Sequence, residues 1–179
     1  MEKGSLSVQT ENIFPVIKRW LYSDKDIFIR EAVSNAADAI TKLRRLVSLA
    51  QTEVGDDNFR IDVTLNRDAK TITIADNGIG MTREEVERYI NQIALSGALD
   101  FISKYEGEGD ASKEGIIGHF GLGFYSVFMV SDRVEMKTRS YTGAPAVYWV
   151  CDENGRYEMA EGDKASRGTE IILHVTEDE

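Results

Sequence analysis

An α+β fold, with helices packed on one face of a mostly antiparallel sheet, is what the order of patterns along this 179-residue chain predicts. Three observations carry that expectation. A long helix-period stretch runs from Ile27 to Ala50, an alternating hairpin follows between Phe59 and Asp76, and strand-like segments fill the chain from Arg133 to Val175. The length suits one domain with a proper core, residues 1–179, rather than two.

Composition narrows the class. Apolar and charged residues make up 42% and 29% of the chain, the balance of an ordinary soluble domain. The net charge of −10 argues against a nucleic-acid binder, which must neutralise many phosphates, but leaves room for one nucleotide at a local site. The single cysteine, Cys151, excludes an intramolecular disulfide and a multi-cysteine zinc site, and it reads as a plain strand residue. No run approaches the ~18 apolar residues of a membrane span, and the first residues lack the basic-then-apolar layout of a signal peptide. No membrane partner and a reducing, cytoplasmic compartment are therefore expected. The acidic end, Thr176 to Glu179, follows directly on a strand, as in a domain cut from a longer chain.

The elements follow in order. Ser7 to Thr10 is a short β-like piece, and Thr10 is placed to cap a helix over about Ile13 to Leu21, with Glu11 in its first turn and Pro15 early. Asp24 is the expected cap of the long helix. Ile29, Val33, Ala36, Ile40, Leu43, Val47 and Ala50 form that helix's apolar stripe. Glu31, Asn35, Asp38 and Lys42 recur at the same spacing about 200° round the axis, as a second stripe on the far side. Ala32, Ser34, Ala39 and Thr41 flank it and are small enough to let another group come close. After a turn at Gly55 to Asn58, Phe59, Ile61, Val63 and Leu65 alternate with Arg60, Asp62, Thr64 and Asn66 in a half-buried strand. Arg67 to Lys70 turns the chain back into Thr71 to Asp76. Thr82 and Glu85 make a capping box that opens a helix to about Asn91. Ser96 to Lys104 reads as helical, Tyr105 to Gly115 as a mobile, glycine-rich loop, and Ile116 to Val130 as apolar and helical from about Leu122. Strands near Arg133–Arg139, Ala146–Cys151, Tyr157–Met159 and Thr169–Val175 complete the layer.

Chemistry concentrates at three places. Alternation puts Asp76 on the same face as Ile72 and Ile74, and a carboxylate entering a core is costly without partners. It leads into Asn77-Gly78-Ile79-Gly80-Met81, which suits either a turn capped by the aspartate or a pocket floored by it. Gly115 to Phe124 holds four glycines in nine residues and runs into a helix. That is either a structural loop or an anion site of free N–H groups. It is not a Walker loop, because no Gly-Lys-Ser/Thr follows. Thr169 shares a face with Ile171 and Leu173 and enters the core from a strand end, where it bonds a backbone carbonyl or stands beside Asp76. His119 and His174 are too few and too scattered for a metal site.

Taken together, Glu31-x-x-x-Asn35-x-x-Asp38, Asp76 to Met81, Gly118 to Gly123 and Gly168-Thr169 resemble the ordered motifs of the GHKL, or Bergerat-fold, ATPases. The flanks Ile27 to Ala39, Ile117 to Ser126 and Gly168 to Asp178 resemble the N-terminal domain of the heat-shock protein 90 chaperones of the bacterial HtpG type. The resemblance covers nearly the whole chain. It implies a two-layer sandwich that binds ATP or ADP with Mg²⁺, a lid segment at about 92–123, and a role in folding client proteins as a homodimer of the full-length protein.

Residue by residue, the resemblance implies that Asp76 accepts from the adenine amino group, helped by Thr169. Gly80 and Met81 would line the base pocket, and Asn91 would lie near sugar and phosphates. Asn35 would offer its amide oxygen to Mg²⁺, and Glu31 would be the general base for the attacking water. Asp38, Ala39 and Lys42 would belong to the nucleotide-binding helix. Gly118, His119, Phe120, Gly121, Leu122, Gly123 and Phe124 would wrap the terminal phosphates. The chain departs from the family at Asn91 to Gly97, which is about two residues short and has Leu95 where lysine is common. In the family a basic residue from the following domain also reaches the γ-phosphate. Other readings of the same motifs are a non-hydrolysing nucleotide sensor or another GHKL ATPase. Kinases of that group lack a glutamate at the place of Glu31, and DNA-handling members should show a basic surface.

Overall fold

The polar row that matters most in this protein is set by strand register. In the computed structural model, which describes residues 1–5, 27–55, 58–88, 90 and 122–177, seven strands form one antiparallel sheet. They are β1 (Glu2–Ser5), β2 (Ile61–Asn66), β3 (Thr71–Asp76), β4 (Ser131–Arg139), β5 (Val147–Asp152), β6 (Arg156–Glu161) and β7 (Gly168–Val175). Their order across the sheet is β1-β6-β5-β4-β7-β3-β2. The three central strands align residues of one kind: Ile72, Leu173 and Val134 in one row, Ile74, Ile171 and Met136 in the next, and Asp76, Thr169 and Thr138 at the end. Because side chains alternate, all three rows face the same side, so an apolar floor ends in a polar edge.

The helix α1 (Ile27–Ser48) lies on that side. Ala36 and Leu43 are buried on its apolar stripe, and Ala36, together with Ile27 in the first turn, joins a core containing Ile74, Val134, Met136, Trp149 and Leu173. Val47 and Ala50 are exposed instead, in and just beyond the last turn of the helix. The second stripe is not on the far side of α1 as its spacing suggested. Ala32 and Ala39 lie between the two stripes, and these short side chains leave the polar stripe at the rim of the cleft over the sheet.

The hairpin, the turn at 67–70 and the four late strands stand as expected, each within one or two residues at either end. The capping box is formed: Thr82 N–H donates to Glu85 Oε1 at 3.1 Å and Glu85 N–H to Thr82 Oγ1 at 3.3 Å. The helix it opens, α2, is α-helical over Arg83–Val86 and continues as π-helix at Glu87, Arg88 and Ile90, close to the expected end near Asn91. The helix expected from Leu122 is a 3₁₀ helix, Leu122–Met129. Two observations mark a tight local path: Val130 N–H reaches back to Val127 O, and Ser131 Oγ donates to Val127 O at 2.5 Å. Edge strand β1 was not foreseen, since Glu2–Ser5 has no apolar alternation and is held by backbone pairing to β6. The expectations for Ser7 to Thr10, for Ile13 to Leu21, for the cap at Asp24, and for 91–121 lie outside the described residues. Cys151 is a buried β5 residue whose thiol burial keeps protonated. Among the described residues no helix is long and apolar enough to cross a membrane.

Candidate functional site

A cleft of about 470 Å³ opens between α1 and the sheet, a size ordinary for a small-molecule site. The apolar row Ile74, Ile171 and Met136 forms its floor with Val127, and Asp76 and Thr169 form its polar edge. Glu31, Asn35, Asp38, Ala39 and Lys42 line the helix wall, and Ile79, Gly80 and Met81 the turn. Ile90 and Phe124 close the remaining side, with Phe124 edge-on to Trp149 at a centroid distance of 5.6 Å. Glu31 is half-buried, whereas Asn35, Asp38 and Lys42 are exposed along the rim.

Asp76 combines the two readings the sequence left open. Its Oδ1 accepts from Gly78 N–H at 2.8 Å, which makes the turn, and the same carboxylate borders the cleft. Burial pushes its pKa up to about 6 from 3.8, against the pull of the Gly78 and Thr169 N–H groups and the more distant Lys164 charge. Between pH 3.8 and about 6 the folded chain therefore holds a proton that the unfolded chain releases. The stability linked to this group is full below that window and is lost as pH rises through it, by roughly 3 kcal/mol. Any ligand that needs the ionised acceptor should bind more weakly below pH 6. A ligand recognised through that ionised acceptor should lose about tenfold in affinity per pH unit below that point, read by titration calorimetry between pH 5 and 8. A flat profile over that range would contradict it.

The turn after Asp76 is locked by backbone contacts. Ile79 N–H donates to Ala39 O at 3.1 Å, and Tyr141 N–H donates to Ile79 O at 2.9 Å. Asn77 ties the preceding loop, accepting from Arg60 N–H and donating to Asn58 O, each at 2.8 Å. Gly78 passes so close to α1 that a Cβ would lie 2.6 Å from the Ala39 carbonyl carbon. Gly80 has φ +65°, and a Cβ there would meet Arg139 O at 1.9 Å. Gly80→Ala should therefore cost more than about 3 kcal/mol, or prevent folding, in a denaturant melt. A loss under 1 kcal/mol would contradict this packing.

Thr138 escaped the sequence reading. It is fully buried, and its hydroxyl accepts from Met81 N–H at 3.0 Å while lying 2.8 Å from Thr169 Oγ1. The signal was present: alternation in β4 puts Val134, Met136 and Thr138 on one inward face, and the last of these is polar. Asn91, Gly118, His119, Phe120 and Gly121 lie outside the described residues. For Leu122 and Gly123 the backbone path in the 3₁₀ helix is described, and Phe124 reaches the cleft. His174 is elsewhere, on the opposite sheet face, with Nε2 2.5 Å from Glu135 Oε2.

An apolar floor ending in a carboxylate acceptor, under a wall of amide and carboxylate groups, suits a flat heteroaromatic ring carrying polar substituents. Residues 25–158 match the family described as histidine kinase-, DNA gyrase B- and HSP90-like ATPases, and the chain belongs to that family. The chain is 54% identical over 181 residues to chaperone protein HtpG of Bacteroides fragilis and 51% identical over 178 residues to that of Porphyromonas gingivalis. It is 45% identical over 183 residues to HtpG of Chromobacterium violaceum. In each case 99% of this chain is covered and 25%, 25% and 28% of the relative, so the chain spans about a quarter of the length of the curated relatives it matches. The resemblance read from the motifs is thus borne out at the level of the family, and with it the α+β sandwich.

Proposed function

We propose that this chain is the nucleotide-binding domain of an HtpG-type chaperone, holding ADP or ATP in the cleft between α1 and the sheet and hydrolysing ATP there. The observation that carries the reading is the row Asp76, Thr169, Thr138 at the end of an apolar floor. In this reading Asp76 accepts from the exocyclic amino group of adenine, Thr169 stands beside it, and Gly80 and Met81 border the ring. Lys42 and Asp38 lie along the wall towards the sugar and phosphates. Asn91 and the glycine segment from Gly118 to Phe124 serve the phosphates.

Mg²⁺ fits the donor set. No group of three His, Cys, Asp or Glu side chains that would hold a metal is found among the described residues. Asn35 offers one hard amide oxygen on the cleft wall, which suits a cation that keeps its waters and phosphate oxygens as its other ligands. Bound there, the ion supplies charge neutralisation at the phosphates. Glu31, one turn before Asn35 on the same face, orients a water molecule and takes up its proton. Because the family draws a basic residue from a following domain, this chain alone should turn over ATP slowly. A rate equal to that of a full-length HtpG would contradict that expectation.

The whole protein would be a cytoplasmic homodimer acting on client proteins, and the segment 92–123 would be its lid. The sensor reading differs only in chemistry and keeps the same pocket. Titration calorimetry of ADP with Mg²⁺ tests the binding reading: saturable 1:1 binding is expected, and no heat of binding would overturn it.

A further inference from the structure

We propose that Thr138 is a positioning residue for purine selectivity: it holds the Thr169 hydroxyl in an acceptor-only orientation, so the cleft takes a 6-amino purine and turns away a 6-oxo one. The inference deepens the nucleotide reading above and rests on it.

The hydrogen-bond arithmetic runs through one buried oxygen. A threonine hydroxyl has one proton and two acceptor lone pairs. At Thr138, which is 0% exposed, Met81 N–H takes one lone pair at 3.0 Å. Thr169 Oγ1 lies at 2.8 Å and the Gly168 carbonyl oxygen at 3.3 Å. A carbonyl only accepts, so the Thr138 proton points to Gly168 O and the second lone pair accepts from the Thr169 hydroxyl. This assignment makes all three contacts hydrogen bonds, as a fully buried site demands, whereas reversing the threonine pair leaves the Gly168 contact unmade. With its proton directed at Thr138, Thr169 presents only lone pairs to the cleft. Asp76, its direct partner across β3 and β7, is also an acceptor. Two adjacent acceptors match an amino group with two N–H bonds and repel a carbonyl oxygen at the same place. Thr138 touches no ligand itself. It also holds Met81 N–H, so one buried hydroxyl fixes both the turn and the selective edge.

The test compares ADP with inosine diphosphate, its 6-oxo counterpart, by titration calorimetry. The wild-type chain should prefer ADP by about 100-fold or more. Thr138→Val, which keeps the shape and removes the hydroxyl, should reduce that preference at least about tenfold, and Thr138→Ser should restore it. Thr169→Val should reduce it similarly, and adding Thr138→Val to Thr169→Val should reduce it no further, because the first residue acts through the second. If Thr138→Val does not fold, Thr138→Ala is read in the same way. Equal weakening of both nucleotides in Thr138→Val, or a further loss of preference without the Thr169 hydroxyl, would overturn the proposal. Failure of the wild-type chain to bind either nucleotide would overturn the nucleotide reading itself, and is told apart because it needs no variant.

Discussion

Asp76→Asn should abolish measurable ADP binding, a loss of about 10³-fold or more, while leaving the fold intact. The reason lies in which oxygen is already used. Gly78 N–H holds Oδ1, so an amide at this position must keep its oxygen there and turn its NH₂ towards the cleft. A donor then faces the adenine amino group, and both are left without partners in a half-buried site. Sites built around one polar contact reject the wrong partner by several orders of magnitude for this reason. The same substitution removes a carboxylate that burial destabilises, so the variant should be at least as stable as the wild type above pH 6. A more stable chain that has lost its ligand is the expected pair of results. Retained binding would mean that the base is held elsewhere.

Glu31→Ala should separate binding from chemistry. Glu31 is half-buried on the cleft wall, one helical turn from Asn35. If it takes the proton of the attacking water, its removal should lower turnover about 10²- to 10⁴-fold in a phosphate-release assay and change ADP affinity less than about threefold. Unchanged turnover would favour a nucleotide sensor and remove the general-base role.

Much of this site was legible because its determinants are local. The stripe Glu31, Asn35, Asp38, Lys42 is a helix repeat, and Asp76 to Met81 is a contiguous turn. Strand alternation alone gives Thr169 its inward face. What sequence reading missed is set by pairing between distant segments. Thr138 becomes important only because register aligns it with Thr169 and brings Met81 N–H to its hydroxyl. The positive φ of Gly80 is what its turn position suggests, but its tightest neighbour, the Arg139 carbonyl, comes from a distant strand. That the polar stripe stands at the cleft rim follows only from how α1 seats on the sheet, although the small flanking residues Ala32 and Ala39 were a signal. The π-helical continuation of α2 and the 3₁₀ form of Leu122–Met129 are not distinguished from α-helix by apolar periodicity.

The most direct test of where the nucleotide sits is an amide shift map of the ¹⁵N-labelled chain during titration with ADP and Mg²⁺. Saturable shifts concentrated at Gly78, Met81 and Thr169, with Asn35 responding in turn to Mg²⁺, are the expected result. Shifts confined to the outer sheet face around Glu135 and His174, with those amides unmoved, would contradict the cleft as the site.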